Sequence, residues 1–520
     1  MARLTGTPQE PADTEALGDG SRPGTGRAKP WNVHVLKTES APKLAKAAPY
    51  KDARILSFVL RFRRLPANFA DVSRKLFGTD GIRGAANLEP LTPSSVVNLG
   101  LAAAKILGNP DLSDRPKALV GRDTRASGEF LEAAITAGLA SAGVDVMQSG
   151  VVPTPAVAYL TTRYQASFGI VLSASHNPFA DNGIKFFGPD GYKLTDDQES
   201  AIEAAFYEKQ FIHSSRVGRI RIMQDAIEEY VAFALTTVPQ SFSLRGWKIA
   251  IDLANGAAFR TTPLALARLG SDLAIQASEP NGVNINEDCG STHPEALSAL
   301  VQNNGSVLGI AHDGDADRLL FCDERGDPLD GDELLAIAAT HLVRKGQLRA
   351  NTVVATIMSN FGLDALLHRL GGKVLRTAVG DRPVIETMVK NDLNLGGEQS
   401  GHLIFRDFVT TGDGLISALQ ILSIMDATGK RLSELRAVLE KYPQEQRNIF
   451  VREKLPFEQF PALMKRLSSA EALLAGSGRV VLRYSGTEPK ARLLLEGPDQ
   501  GILKKLADDI QAEIEAVLGP

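Results

Sequence analysis

Leu308-Gly-Ile-Ala-His-Asp313-Gly-Asp-Ala-Asp-Arg318 opens as an apolar run and breaks into a loop of alternating aspartates. A short apolar run bounded by small and polar residues reads as a buried strand, here over 307–311. The same texture occurs in Gly169-Ile-Val-Leu-Ser-Ala-Ser175-His-Asn-Pro178 and in Leu393-Asn-Leu-Gly-Gly-Glu398-Gln-Ser-Gly-His402. Ligands of open α/β sheets sit beyond the carboxyl ends of strands, so each loop is a candidate site. One such loop per unit predicts three related domains facing a shared cleft.

Outward from these loops, strands are expected over 144–147, 168–172, 248–253 and 352–357 as well. Helices are expected over 129–142, 197–207, 225–235, 262–269, 333–344 and 414–425. Strand–helix alternation predicts α/β domains with mixed or mostly parallel sheets. The tail differs. Segments 480–484 and 491–496 read as paired strands around a polar turn, and 501–517 as a helix. The expected fold is α/β: three related α/β domains with mixed sheets plus a smaller α+β C-terminal domain around a central cleft. Its limits are 74–228, 229–328, 329–442 and 443–520. Residues 1–73 have little periodicity and a Gly-, Pro- and Ala-rich start, the texture of a disordered extension.

The chain has 520 residues, enough for several domains. With 43% hydrophobic and 23% charged residues, it has the composition of a soluble globular protein. A net charge of −4 gives no electrostatic reason for a nucleic-acid partner. Two cysteines, Cys289 and Cys322, are too few for a disulfide framework and suit a reducing, cytoplasmic setting. No apolar run approaches the roughly 20 residues that span a bilayer.

The loops suggest chemistry. Asp313, Asp315 and Asp317 would splay apart in an extended chain, so a tight loop through Gly314 and Ala316 must gather them. Three carboxylates suit a hard cation, magnesium where phosphate is also present. The spacing mimics a calcium EF-hand, with Glu324 at its twelfth position. Arg318 stands where that loop demands glycine, which argues against it. Ser175 lacks the Gly-x-Ser-x-Gly elbow of a hydrolase. A serine that stores a phosphoryl group needs a cation and donors around the phosphate, and the aspartate loop could supply the cation. Lys185 follows Asn182-Gly183, a strong turn signal. Burial beside other cations would lower its pKa and fit it for acid/base work. Glu398, Ser400 and His402 offer the mixed donors and acceptors that sugar hydroxyls want. Arg483-Tyr-Ser485-Gly486-Thr487-Glu-Pro-Lys-Ala-Arg492 combines two arginines, two hydroxyls and a glycine turn, a good phosphate cradle.

These motifs recur in one order with Phe77-Gly-Thr-Asp-Gly-Ile-Arg83-Gly and Gly121-Arg-Asp-Thr-Arg125-Ala-Ser-Gly before them. Over about 74–520 the set resembles the α-D-phosphohexomutase superfamily. The resemblance implies that Ser175 is a phosphoserine whose phosphate, with Asp313, Asp315 and Asp317, holds one magnesium ion per chain. It places Arg318 near the transferring phosphate, and Arg83, Lys185 and His402 in acid/base or phosphate-contact work. Glu398 and Ser400 would grip sugar hydroxyls. Arg483, Ser485, Gly486, Thr487 and Arg492 would hold the phosphate that is not moving. Val379-Gly-Asp-Arg382, Glu398-Gln-Ser-Gly-His402 and Ser485-Gly-Thr-Glu-Pro resemble the phosphoglucosamine mutase branch. Ala316, Pro383 and Leu493-Leu-Leu depart from its usual pattern.

That branch implies interconversion of glucosamine 6-phosphate and glucosamine 1-phosphate through a hexosamine 1,6-bisphosphate, which also serves as activator. The product would feed amino-sugar nucleotide (UDP-N-acetylglucosamine) synthesis. The partner expected is a small-molecule phosphosugar, with no nucleic acid, no membrane and a homodimer as the candidate assembly. The alternatives are a phosphomannomutase or phosphoglucomutase, a phosphosugar-binding paralogue without catalysis, and a metal-dependent phosphatase.

Overall fold

The computed structural model describes residues 76–78, 80–108, 115–209, 211, 216–485 and 488–519. The expected extension 1–73 lies outside the described residues, as do Gly486 and Thr487 of the cradle.

Four sheets follow one another along the chain. The first holds β1 (Ile82–Ala85), β2 (Lys117–Arg122), β3 (Asp145–Val151), β4 (Phe168–Leu172), β5 (Asp181–Phe187) and β6 (Ile220–Ile222), in the order β1-β5-β4-β2-β3-β6. The second holds β7 (Lys248–Asp252), β8 (Asp272–Gln276), β9 (Leu308–His312), β10 (Leu319–Cys322) and β11 (Pro328–Leu329), in the order β11-β10-β9-β7-β8. The third holds β12 (Thr352–Thr356), β13 (Lys373–Thr377), β14 (Leu395–Gly397) and β15 (Leu403–Phe405), in the order β13-β12-β14-β15. The last is antiparallel throughout: β16 (Gln444–Phe450), β18 (Lys490–Glu496) and β17 (Arg479–Tyr484).

The first three sheets share one kernel. β5-β4-β2-β3, β10-β9-β7-β8 and β15-β14-β12-β13 have the same strand order, three parallel strands and then one antiparallel return. The fold is thus three α/β domains with mixed sheets and a smaller α+β domain. Strands β4, β9 and β12 are buried along their whole length, so they carry unbroken apolar runs instead of an alternation. The return turn of each kernel is one of the three loops singled out above: 173–180, 313–318 and 398–402.

Local chemistry fixes the flanking helices. The helix Gly331–Arg344 begins at Asp330, whose side chain accepts from the Glu333 amide while Glu333 reaches back in a capping box. In the last domain, Leu503, Ala507, Ile510, Ile514 and Leu518 recur at helical spacing on Gln500–Leu518 and pack with the helix Pro461–Leu474 against one face of the sheet.

One expectation is corrected here. Asn182-Gly183 does not turn; it lies inside β5. Asn182 Nδ2 donates to Ser127 Oγ at 2.8 Å. A Cβ on Gly183 would stand 2.5 Å from the Ser173 carbonyl, so the glycine serves close strand approach, not chain reversal.

Candidate active site

The three return turns meet. Ser175 stands at φ +52°, backbone that non-glycine residues seldom adopt, and is buried. Its Oγ donates to Asp313 Oδ2 at 2.5 Å. Gly314 permits this approach, because a Cβ there would lie 2.5 Å from the Ser175 carbonyl oxygen. Arg125 and Asn286 hold the serine loop from behind. Arg125 donates to the carbonyls of Ser175 at 3.2 Å and Asn177 at 2.5 Å, and Asn286 Nδ2 to the same two at 2.9 and 3.0 Å. Asp123 pairs with Arg125 and accepts from Ser173 Oγ at 2.6 Å.

The turn after β9 does gather its aspartates. One oxygen from each of Asp313, Asp315 and Asp317 lies within 4.8 Å of the others, and all three residues are buried. Ala316 makes the bend at φ +56°, a conformation that costs an alanine about 1 kcal/mol and a glycine nothing. The trio fits a divalent cation. Asp315 Oδ1 and Asp317 Oδ1 are buried with no hydrogen-bond partner, a costly state for a carboxylate that a cation would relieve. Burial, then Asp317 and Asp315, push the Asp313 carboxyl up to about 8. Burial opposes the charge of Asp317, but Lys185 and His402 hold its carboxyl well below the usual range.

Lys185 is reached by β5 and is 1% exposed. Its Nζ lies 2.9 Å from Asp315, 3.1 Å from Asp80 and 3.5 Å from Asp317. Three carboxylates pair with it, and they outweigh the nearby Arg83. Burial disfavours its charge, yet Asp315, Asp80 and Asp317 raise its pKa well above the ordinary lysine value. The lowered pKa expected for it is therefore not found in the metal-free chain, where its burial comes with carboxylate partners.

His402 accepts the Gly412 amide at Nε2, at 3.0 Å, which puts its proton on Nδ1, 3.8 Å from Asp317. Burial opposes its protonation, while Asp317, Asp381 and Glu398 raise its pKa. Arg318 Nε lies 3.9 Å from Asp317. Arg83 pairs with Asp80 at 2.6 Å. Glu398 Oε1 accepts the Gly380 amide at 3.1 Å, and Ser400 is exposed.

The cradle stands apart on the fourth sheet. Arg483 and Arg492 are direct cross-strand partners. Burial and Arg492 lower the pKa of Arg483. Like charges placed opposite each other destabilise a sheet unless an anion joins them. They line a cleft of about 220 Å³ with Asn448, Lys490 and Met358 of the third domain. Ser485 is buried and accepts the Glu488 amide at 3.3 Å.

Sequence reasoning missed Asp80, Lys193 and Asp381, which join Lys185 and His402 in one buried ionic chain, and it missed Asn286. Asp80 stood inside a quoted motif, and Asp381 inside another. Nothing in the sequence pairs them with Lys193.

Models of the phosphoglucomutase/phosphomannomutase family match the chain in all four parts: α/β/α domain I over 74–213, domain II over 228–326, domain III over 330–442 and the C-terminal domain over 447–513. A phosphoglucosamine mutase from Geobacter sp. (strain M21) is 49% identical over 451 residues, covering 86% of this chain and 99% of the relative. One from Desulforamulus reducens is 48% identical over 444 residues, covering 85% and 99%. Among solved structures, a phosphoglucomutase/phosphomannomutase family protein from Burkholderia thailandensis superposes with a TM-score of 0.72 at 24% identity, covering 85% of this chain and 97% of that one. The N-acetylphosphoglucosamine mutase of Aspergillus fumigatus, solved with GlcNAc-6P and magnesium, has a TM-score of 0.60 at 17% identity, covering 85% and 95%. With four domains in the family's order around a serine and three aspartates, this chain belongs to the phosphoglucomutase/phosphomannomutase family.

Proposed function

We propose that this chain is a phosphohexose mutase that interconverts glucosamine 6-phosphate and glucosamine 1-phosphate. The observation that carries this reading is the Ser175 hydroxyl on Asp313, inside a buried aspartate trio. Phospho-Ser175 passes its phosphoryl group to a free sugar hydroxyl: the Oγ–P bond breaks, a sugar O–P bond forms, the hydroxyl proton leaves to a base of the cleft, and the serine oxygen takes up a proton to return as the Ser175 hydroxyl. The hexosamine 1,6-bisphosphate then turns over and returns its other phosphate to Ser175. Magnesium, when bound by Asp313, Asp315, Asp317 and the serine phosphate, would supply positive charge against the phosphoryl oxygens.

The chain's own residues do the rest. Lys185 and Arg318 hold fixed positive charge beside the transfer point. His402 keeps a proton on Nδ1 facing it, and Arg83 lines the first-domain side. Glu398 and Ser400 read sugar hydroxyls. Arg483, Ser485, Gly486, Thr487 and Arg492 grip the phosphate at rest. The reading takes domain limits of 74–228, 229–328, 329–442 and 443–520, a cytoplasmic setting, and a homodimer that sedimentation would check.

Ser175→Ala should lower turnover by at least about 100-fold, as loss of one electrostatic or covalent element of a transfer site does. The assay compares rates on glucosamine, glucose and mannose phosphates, with intact mass and peptide mapping for a phosphate on Ser175. Near-normal activity of the variant would reject the phosphoserine. Preference for glucose or mannose phosphates would reject the sugar.

A further inference from the structure

Lys193 lies in the turn after β5, paired in backbone with Phe187. Its ammonium is sealed between the carboxylates of Asp80 and Asp381, and its side chain is 9% exposed. Asp80 belongs to the first domain. Asp381 begins the helix Asp381–Lys390 of the third. Lys193 therefore ties two domains across the cleft, through a contact that the chemistry above does not use.

The third-domain end of this tie is a short segment with three duties. The Gly380 amide donates to Glu398 Oε1 at 3.1 Å. Asp381 stands 3.9 Å from His402 Nε2. Arg382 reaches into the first domain and pairs with Glu199 and Asp196. The adjoining first-domain turn is seated on the same surface. Tyr192 packs among Val354, Val384, Met388 and Ile404, and Thr410 Oγ1 donates to the Gly191 carbonyl at 2.6 Å.

We propose that Lys193 is a positioning residue for the sugar-reading loop: by holding Asp381 it fixes the Gly380 amide, and through it the orientation of the Glu398 carboxylate. This rests on the role given to Glu398 in the proposed function. Without the ammonium, Asp80 and Asp381 become two facing, partly exposed carboxylates, 28% and 14% accessible, which repel each other and admit water between them. Arg382 keeps the helix on Glu199 and Asp196, and Asp80 keeps Arg83 at 2.6 Å and Lys185 at 3.1 Å, so the part that gives is the Gly380–Asp381 step before Arg382. A shift of that step takes the Gly380 amide from Glu398. The aspartate trio keeps Lys185 and is left in place.

The test uses the full chain and its Lys193→Met, Lys193→Arg and Asp381→Asn variants. Hydrogen exchange read by mass spectrometry should be about tenfold or more faster in Lys193→Met over 379–382 and 398–403, with 313–318 unchanged. Asp381→Asn should reproduce this pattern, and Lys193→Arg should restore much of the protection. In kinetics, KM for glucosamine 6-phosphate should rise about tenfold while kcat falls by a smaller factor, since ground-state and transition-state grip are lost together. Unchanged exchange over 398–403 overturns the proposal. So does a rise spread equally over 313–318, which would make Lys193 a general structural residue. A wild-type chain with no mutase activity would sink the proposed function instead, and the exchange result would still decide for or against Lys193.

Discussion

Asp313 makes metal binding depend on pH in a calculable way. Without a cation its carboxyl is pushed up to about 8, first by burial and then by Asp317 and Asp315. A cation needs the carboxylate, so binding below that pH must expel a proton. Between pH 8 and pH 6 the ionised fraction falls from about one half to about one hundredth, so apparent affinity should fall about 50-fold, or about 2.3 kcal/mol. At pH 7 about 0.9 proton should be released per ion bound. The assay is calorimetric titration of manganese or magnesium in two buffers of different ionisation enthalpy at pH 6, 7 and 8. The stability sign follows. The raised pKa means that the folded metal-free chain binds more protons than the unfolded one between about pH 4 and 8, so it loses stability as pH rises through that window. Added cation should therefore raise the melting temperature more at pH 8 than at pH 6. Affinity that does not change with pH, with no proton released, would refute the reasoning and remove Asp313 from the ligand set.

Lys185→Met leaves Asp80, Asp315 and Asp317 without their buried cation. It should cost about 3–5 kcal/mol in urea unfolding, less at pH 5 than at pH 8, and abolish most activity. Arg483→Ala or Arg492→Ala should raise KM for any phosphohexose about 10- to 100-fold, the worth of a charged hydrogen bond, with an effect that shrinks as salt rises. Gly314→Ala should force Ser175 away from Asp313, because its new methyl would meet the Ser175 carbonyl at 2.5 Å and Asn286 at 2.8 Å. We expect a turnover loss of about 100-fold with manganese affinity less affected.

Much of this was legible because the central kernel strands β4, β9 and β12 are buried along their whole length and lead into loops of small and polar residues. Phe168–Leu172 is found over the expected residues, and β9 and β12 lie within one residue of theirs. The aspartate trio and the serine could be read as chemistry because each loop concentrates its polar groups within a few positions. The helix Pro93–Leu107 was not foreseen, although its apolar residues recur at helical spacing and its start is marked by the Thr92 side chain accepting from the Ser95 amide. Lys185 was read with the wrong sign because a lysine between apolar neighbours shows its burial but not its company. Asp80 and Asp315 reach it from 105 and 130 positions away in the chain. Lys193 and Asp381 are 188 residues apart, and a lone lysine carries no mark of its partner.

The common strand order of the first three domains has a practical outcome. In the proposed function, storing the phosphoryl group, anchoring the ion and reading the sugar would each hang from the same bend of a separate scaffold. Each bend can then be redesigned within its own kernel, provided the contacts between bends are kept, such as the Leu319 amide on the Gly401 carbonyl and His402 beside Asp317. Exchange of 396–403 for the matching stretch of a glucose- or mannose-directed relative is the natural graft: it would retune which hexose is accepted and leave the serine and its aspartates as they stand.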